Sequence, residues 1–378
     1  MPRLAYPVDY RRLDTFKRKA RQLGRDTAGN LTRFGFSEMF PDGNESAHVI
    51  DRGPSYDVLL LECLGTRMLV ADAWYKLTGV SRYKNMGWSM VAAAANDLTP
   101  YGAAPFAAQM FFAVGDARWF DDEQRSDDLL QGWKEGWMTA GAAWRQGETP
   151  ELQGMVVPDT GIIAGAVQGI VKPRERLIRG NLAQEDAIVL LSSSGIHDNG
   201  LTLTRLLADY KDGLLRKLGH VLCPWLVDSH ALPRGYLTPI GRNERAFGDV
   251  LLDATTIYSP FMQECLDHGI EIHYAVNITG HGWQKLMRHP NSFVYVIERI
   301  FEPSALFRFI QEHAGLTDEE MYRIFNMDAG YALYVPGGEV GLIHTIAARH
   351  GIKTLHAGHV ERRGNEKKVI IRPLGIEL

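Results

Sequence analysis

Three short polar stretches of the chain carry carboxylates in settings that suit metal or phosphate chemistry. The first runs from Glu62 to Arg67, the second is Asn96-Asp97, and the third is Gly147-Glu148-Thr149. In the first, Gly65 permits a tight turn whose following backbone amides can face a phosphate. A carboxylate at the end of a strand or beside a turn is a candidate ligand for Mg²⁺. We therefore interpret three residues as candidate metal ligands: Glu62, Asp97 and Glu148.

A fourth stretch, from Ser194 to Gly200, supplies hydroxyl, imidazole, carboxylate and amide groups just before an expected helix. Such a cluster suits a polar or phosphorylated ligand. Each of these residues also has a purely structural explanation. Glu62 is equally explained as a surface acid at a plain turn, Asp97 as an Asx turn that ends a helix, and Glu148 as part of a surface turn. Asp198 or Asn199 can serve as a helix cap.

The elements that must position these stretches follow from hydrophobic patterning. A strand over 57–62 and a helix over 68–76 enclose the first stretch, and an Ala-rich helix over 87–97 ends at the second. A strand over 187–191 leads into the fourth stretch, and a helix over 201–209 follows it. Other predicted elements are a helix over 14–23, a strand over 109–114, a helix over 121–143, a turn over 146–150 and a strand over 162–171.

This alternation of strands and helices predicts an α/β (α+β) protein of two units. We predict a mobile N-terminal segment over 1–45, a first domain over 46–175 and a second domain over 176–378. Residues 211–248 combine proline, glycine and mixed charge, which indicates an insertion within the second domain.

Composition narrows the function classes. The net charge of −4 offers no basic field for nucleic acid. The three cysteines lack the spacing of a zinc or redox motif, so we expect reduced thiols and a cytoplasmic protein. No apolar run approaches the roughly 20 residues that span a bilayer, and none resembles a signal peptide, so we expect no membrane partner. The common phosphate-loop, dinucleotide-binding and zinc-protease motifs are absent, which disfavours the common nucleotide enzymes.

Six ordered stretches resemble the motifs of the AIR synthase (phosphoribosylformylglycinamidine cyclo-ligase) family. Asn96-Asp97-Leu98 followed by 101–105 resembles N-D-(I/L)-x-x-x-G-A-x-P, and 147–155 resembles G-E-T-A-E-M-P-G-M. Residues 193–205 resemble S-S-G-x-H-S-N-G-x-S-L-x-R, and 251–258 resemble L-L-x-P-T-R-I-Y. Residues 277–282 resemble H-I-T-G-G-G, and 318–327 resemble (D/E)-E-M-x-x-T-F-N-M. The resemblance runs from about Asp57 to Val335, most of the chain.

The resemblance implies a two-domain fold, with an N-terminal ATP-binding domain whose sheet dimerises and a C-terminal α/β domain. It implies a homodimer, ATP and Mg²⁺ as cofactors, and a small phosphorylated substrate. The implied reaction closes the imidazole ring of formylglycinamidine ribonucleotide in purine biosynthesis. The implied catalytic residues are Asp97, Glu148 and His197. The implied ATP- and phosphate-binding residues are Glu62, Gly65, Thr66, Arg67 and Asn96, and the implied substrate-binding residues are Ser194, Asn199, Thr279, His281 and Asn326.

Several motif positions depart from the family pattern. Glu62 and Arg67 stand where the family has Asp and Lys in D-G-V-G-T-K, and Cys63 stands where that motif has Gly. Asp198 replaces a Ser, and Thr256 replaces the Arg of P-T-R-I-Y. Further replacements exchange a family glycine for another residue: Gln146, His281 and Asp328.

These departures leave two other hypotheses open. The first is a paralogue that uses ATP to phosphorylate or dehydrate another small molecule. The second is a non-catalytic relative that binds a nucleotide or a partner protein. Asp97 and Glu148 match the family pattern unchanged, which argues against the non-catalytic hypothesis. The changes at Asp198, Thr256 and His281 favour a paralogue over the purine enzyme.

Overall fold

A computed structural model of the chain describes residues 10–40, 46–208, 232, 234–241 and 245–378. Its α-helices are α1 (Tyr10–Thr27), α2 (Arg67–Thr78), α3 (Tyr83–Leu98), α4 (Glu123–Ala140), α5 (Leu201–Ala208), α6 (Phe247–Leu251), α7 (Ser259–Asp267), α8 (Ala305–Ala314), α9 (Asp318–Ile324) and α10 (Val340–Arg349). Its strands are β1 (Ser37–Met39), β2 (His48–Asp51), β3 (Tyr56–Cys63), β4 (Ala104–Val114), β5 (Ala143–Glu148), β6 (Gly161–Val171), β7 (Ala187–Ser192), β8 (Pro239–Ile240), β9 (Arg245–Ala246), β10 (Tyr274–Asn277), β11 (Val294–Ile297), β12 (Ala329–Val335), β13 (Thr354–Glu361), β14 (Lys368–Ile371) and β15 (Ile376–Glu377).

The N-terminal half is built on a six-stranded sheet in the order β1-β2-β3-β6-β4-β5. Its pairs are antiparallel except β4–β5, which is parallel. Helices α3 and α4 pack against one face, and α3 is buried along most of its length because its side chains are small or apolar. On the other face, Leu59 and Leu61 of β3 alternate with buried neighbours and stay exposed, so one side of this sheet is open.

Most predicted elements of this half are present, but their ends are displaced. Helix α3 begins at Tyr83 rather than 87, and strand β4 begins at Ala104 rather than 109. Helix α4 ends at Ala140 rather than 143, because Gly141 takes a left-handed conformation that caps the helix. Strand β5 covers the residues predicted to start a turn at 146. Its side chains are mostly exposed and polar, so the alternation that marks a strand is missing from its sequence.

Within the predicted N-terminal segment 1–45, residues 10–40 are described and contribute regular structure to this half. Helix α1 extends beyond the predicted 14–23 at both ends, and strand β1 pairs with β2 at the edge of the sheet. Of the helices in the described ranges, none combines the length and the apolar character needed to cross a membrane.

The C-terminal half is built on a seven-stranded sheet in the order β10-β12-β7-β13-β11-β14-β15. Strand β7 lies between β12 and β13 and is buried on both faces, as its run of aliphatic residues predicted. Helix α5 follows it after the polar stretch 193–200. The predicted insertion, 211–248, falls mostly outside the described residues and stays a prediction.

Helix α3 joins the two halves. Its Asn85 donates to the carbonyl of Leu252 at 2.8 Å, and its Trp88 indole donates to the carbonyl of Thr255 at 2.9 Å. The side chain of Asn96 both donates to the carbonyl of Thr256 and accepts from the amide of Tyr258, each at 2.8 Å. The segment 251–258, which carries one of the family-like motifs, is therefore held against α3, which has Asp97 in its last turn.

The contact between α3 and α4 needs glycine at its closest point. A Cβ atom added to Gly132 would lie 1.8 Å from the carbonyl oxygen of Lys84, so the helices would have to separate. We expect Gly132→Ala to lower the free energy of unfolding by about 2 kcal/mol or more, because the overlap is with backbone. Chemical denaturation measures this.

Gly341 in α10 is the matched control, since nothing lies within 4 Å of its added Cβ. There the same substitution should raise stability by up to about 1 kcal/mol through helix propensity. Equal stability changes for the two variants would contradict the close α3–α4 contact.

Candidate functional site

A turn between β3 and α2 forms one wall of the candidate site. Strand β3 ends at Cys63, Gly65 takes a positive φ of 66°, and α2 begins at Arg67. The left-handed residue reverses the chain, so the free amides at the start of α2 lie beside the end of β3. The N-terminal end of a helix favours anions. Glu62 is placed at this turn by the last residues of β3.

Half-buried Glu62 and buried Asp97 form a pair of neighbouring carboxyl groups. Burial, then the charge of Asp97 and a hydrogen bond between the two side chains, raise the pKa of Glu62 to about 7. The amide of Cys63 and the charge of Lys285 act in the opposite direction. Two carboxylates this close repel each other when both are ionised, so the pair needs either a proton or a cation between its members.

Asp97 is oriented by the C-terminal half. The side-chain amide of Asn277, at the end of β10, donates to Oδ1 of Asp97 at 2.7 Å. Asn96 points to the segment 251–258 instead and uses both atoms of its amide group there. Both residues line the cavity, but their side chains differ in role. The Asn96 amide is bonded to the segment 251–258, whereas the Asp97 carboxylate is paired with Glu62.

The polar stretch 193–200 forms the opposite wall. His197 has a positive φ of 53°, and its Nε2 accepts a hydrogen bond from the amide of Ser194 at 3.2 Å. Burial and then the charge of Arg67 lower the pKa of His197 to about 3, so its imidazole is neutral. With Nε2 accepting, the proton of the neutral ring is on Nδ1. Asn326 supports the stretch from below, through hydrogen bonds to the carbonyls of Gly195 and Ile196.

These walls enclose a cavity of about 310 Å³ between the two halves. It brings together eight of the residues that the sequence predicted for the site: Glu62, Gly65, Thr66, Asn96, Asp97, His197, Asn199 and Thr279. Carboxylates, helix-end amides, a neutral imidazole and a side-chain amide thus face one space. The cavity can hold part of a charged, polar ligand.

Other predicted site residues lie elsewhere. Ser194 borders a second groove, of about 880 Å³, on the far side of the stretch 193–200. His281 is exposed, and Asn326 is fully buried beneath the stretch. Arg67 is buried and hydrogen-bonded to protein groups, including Asp198 at 2.9 Å.

Glu148 is separated from the carboxyl pair by the width of the sheet. In register, Cys63 pairs with Ala164, Ala164 with Phe111, and Phe111 with Glu148. Three strand spacings make about 14 Å between Cys63 and Glu148. Glu148 is exposed on β5, so within one chain it is too far away to share an ion with Glu62.

Three replacements of family glycines retain the backbone conformation that glycine favours. Gln146, His281 and Asp328 have φ angles of 61°, 74° and 66°. The left-handed region is unfavourable for most residues with a Cβ atom, and Asp and His are among those that enter it most readily. At these three positions the chain therefore takes the conformation that glycine favours, although the residue is not glycine.

Sequence reasoning did not select Asn277 or Thr255, which also line the cavity. Both lie inside family-like motifs, Asn277 where the family has His and Thr255 at the unchanged Thr of P-T-R-I-Y. That position within the motifs is the signal that could have identified them.

The carboxyl pair fits a magnesium ion that is bound together with phosphates. Mg²⁺ prefers oxygen ligands and is commonly held by one or two carboxylates plus substrate phosphates. Glu62 and Asp97 supply the two carboxylates, next to the amides at the start of α2. Within the described ranges, no three His, Cys, Asp or Glu side chains converge as a complete metal site, so the chain itself does not saturate such an ion.

Comparison with known proteins gives consistent matches. Residues 45–171 match the family model described as AIR synthase related protein, N-terminal domain. A protein of Methanocaldococcus jannaschii named phosphoribosylformylglycinamidine cyclo-ligase is 30% identical, over 84% of this chain and 82% of its own length. Proteins of the same name from Thermococcus kodakarensis and Rippkaea orientalis are 32% and 26% identical, over 80% and 93% of this chain and 78% and 94% of their own lengths.

Solved structures share the fold at much lower identity. The HypE–HypF complex matches with a TM-score of 0.56 at 12% identity, over 90% of this chain and 93% of the other. AaThiL complexed with AMPPCP and TMP matches with a TM-score of 0.53 at 12% identity, over 88% of this chain and 89% of the other. These similarities confirm the predicted AIR synthase-like α/β fold.

The raised pKa of Glu62 has a consequence for stability. The unfolded chain ionises this glutamate near pH 4.5, whereas the folded chain keeps the proton up to about pH 7. The folded state therefore binds more protons in this window, and its stability falls as the pH rises through it. Glu62→Gln should remove this loss, so its advantage over the parent should grow by on the order of 2 kcal/mol between pH 5 and 8.

Thermal and denaturant unfolding at several pH values measure the effect. Glu135→Gln is the control, because hydrogen bonds from Lys84 and then Gln131 lower the pKa of this exposed carboxyl. That variant should gain no stability as the pH rises. A pH-independent difference between Glu62→Gln and the parent would contradict the protonated pair.

Proposed function

The chain belongs to the phosphoribosylformylglycinamidine cyclo-ligase family, and on this basis we propose that it is an ATP-dependent cyclo-ligase of purine biosynthesis. It converts formylglycinamidine ribonucleotide to aminoimidazole ribonucleotide with release of ADP and phosphate. The observation that carries the proposal is the shared cavity, where Glu62 and Asp97 meet the amides of α2 and the neutral His197. We also propose that the enzyme is cytoplasmic.

ATP is the phosphoryl donor in this proposal. The amides at the start of α2, after Gly65 and Thr66, bind its phosphates, as helix N-termini do. Glu62 and Asp97 would hold Mg²⁺, which would supply positive charge against the phosphoryl group. The raised pKa of Glu62 supports this assignment, because a site that holds a proton when empty can exchange it for a cation.

The cyclisation itself requires positioning more than a nucleophilic side chain. The γ-phosphate activates the formyl amide oxygen of the substrate, the amine of the substrate attacks the same carbon, and phosphate leaves. Because Nε2 of the neutral His197 accepts from the Ser194 amide, its ring proton is on Nδ1, and that N–H would stabilise a substrate oxygen without competing for its proton. Asn199 and Thr279 complete the polar wall that orients the reacting groups.

A homodimer accounts for the open face of the N-terminal sheet and for the position of Glu148. Exposed Leu59 and Leu61 lie beside Ala107 and Ala166 in a hollow of about 660 Å³ on this face. Burial of such a face against a second copy removes apolar surface from water. In this arrangement Glu148 acts on the nucleotide that is bound by Glu62 and Asp97 of the partner subunit.

A second candidate function is the phosphorylation or dehydration of another small molecule by a paralogue of the same fold. One specific observation favours it. Thr256 is uncharged where the family has Arg, and Arg67 is occupied by Asp198, so neither position offers a free cation to a phosphorylated substrate.

ATP turnover tests the proposed function directly. Purified protein with Mg²⁺ should release ADP only when formylglycinamidine ribonucleotide is present, and aminoimidazole ribonucleotide should form in equal amount. Asp97→Asn should lower this turnover by at least about 100-fold, because it removes a hard metal ligand while keeping an acceptor for Asn277. Asp267→Asn, a surface carboxylate paired with Arg176, is the control and should keep parental turnover.

Unchanged turnover by Asp97→Asn would contradict the metal assignment. Binding of ATP without formation of aminoimidazole ribonucleotide by the parent would reject the purine reaction and favour the second candidate function.

A mixed-dimer experiment tests the role of Glu148. Glu148→Gln and Asp97→Asn should each inactivate the homodimer. If the two residues serve one site from different subunits, a mixed dimer contains one intact site and one doubly altered site. Random assembly then restores about a quarter of parental activity, because half of the dimers are mixed and half of their sites are intact.

Two affinity tags, one on each variant, allow the mixed dimer to be purified after co-expression. Activity no higher than that of the single variants would contradict the shared site, since both residues would then act within one chain.

A further inference from the structure

Arg67 is a fully buried cation that directly follows Thr66 of the cavity lining, and each of its side-chain nitrogens donates a hydrogen bond. Nε donates to the carbonyl of Leu251 at 3.2 Å, and Nη2 donates to the carbonyl of Asp253. Nη1 donates to Oγ1 of Thr255 at 3.0 Å and to Oδ1 of Asp198 at 2.9 Å. The planar guanidinium thus joins two separate segments of the C-terminal half to the first residue of α2.

Asp198 supplies the opposite charge. Burial raises the pKa of its carboxyl group, and the charge of Arg67 and the hydrogen bond from it act in the opposite direction. A charge that is buried without a partner is strongly unfavourable, so each member of the pair requires the other. Release of Arg67 toward a bound phosphate would leave Asp198 and three other acceptors without their donor. Arg67 is therefore fixed by its four protein acceptors and does not turn toward a ligand.

Both members differ from the family pattern that the motifs resemble, which has Lys at position 67 and Ser at position 198. A lysine ammonium has three donors on one atom, which match the three acceptors of the segment 251–255. A guanidinium has a wider fork and reaches a fourth acceptor, and Asp198 is that acceptor. The two replacements are thus complementary in geometry and in charge.

We infer that Arg67 and Asp198 are a coupled positioning pair, in which Arg67 fixes the stretch 197–199 against the start of α2. Asp198 lies between His197 and Asn199, which both line the cavity. Arg67 comes after Gly65 and Thr66 in the chain, and these two residues line it as well. The pair therefore sets the distance between the wall that holds the nucleotide phosphates and the wall that orients the substrate. This inference rests on the proposed function for its kinetic readout only.

A double-mutant cycle tests the coupling. Arg67→Lys and Asp198→Ser should each lower kcat about 10- to 100-fold and change the KM for ATP less than about 3-fold, because misplaced walls impair the reaction more than nucleotide binding. The double variant, which carries the family pair, should recover to within about 10-fold of the parent. Asp198→Asn keeps the side-chain shape and removes the charge, and it should be impaired less than Asp198→Ser.

Hydrogen exchange of the amides over 194–200 provides a readout that needs no turnover. Exchange should become faster in each single variant and return toward the parental rate in the double variant. Arg82→Lys is the matched control, because Arg82 and Asp249 form another ion pair between the halves, outside the cavity lining. This control should leave kcat and the exchange over 194–200 unchanged.

Additive effects in the cycle, with the double variant impaired by the product of the two single losses, would overturn the pair. So would unchanged exchange over 194–200 in both single variants. If the parent enzyme lacks cyclo-ligase turnover, the proposed function fails, and the exchange cycle still decides whether the pair is coupled.

Discussion

Hydrogen bonds between side chains of the N-terminal half and the segment 251–258 hold the two halves together around the cavity. The segment has little regular secondary structure after α6, yet several of its residues are buried, so its backbone groups need partners from outside. Asn85, Trp88 and Asn96 of α3 provide them, and Arg67 of α2 provides more. Because α3 also packs on the N-terminal sheet, the same helix connects the sheet, the segment and the cavity.

The electrostatics of the cavity follow from this arrangement. Helix α3 brings Asp97 to Glu62 at the end of β3, and burial makes the pair reluctant to carry two charges. Arg67, a fully buried cation within the described ranges, is paired with Asp198 and does not neutralise them. The charge of Lys285 opposes the rise in the pKa of Glu62 but does not cancel it. The cavity is thus suited to bind a cation together with an anionic ligand.

Much of the fold could be predicted from local sequence, and the site only in part. Strand β7, the turn at Gly65 and helix α3 follow from aliphatic runs, glycine and alanine, all of which act over a few residues. Strand β5 was missed because its pairing with β4 is distant in sequence and its exposed residues lack alternation. Motif order identified eight of the residues that line the cavity. It also placed Glu148 with them, although three strand spacings, about 14 Å, separate Glu148 from Cys63 in the same chain.

The sequence by itself determined the family, the fold class and the identity of the carboxylates and imidazole, because these depend on residue types in a fixed order. Only the tertiary structure decided what each of them contacts. It placed Glu62 beside Asp97, kept the imidazole of His197 neutral, and paired Arg67 with Asp198. The reason is physical: burial and neighbouring charge set the protonation and the partner of a titratable group, and both arise from segments that meet only when the chain folds.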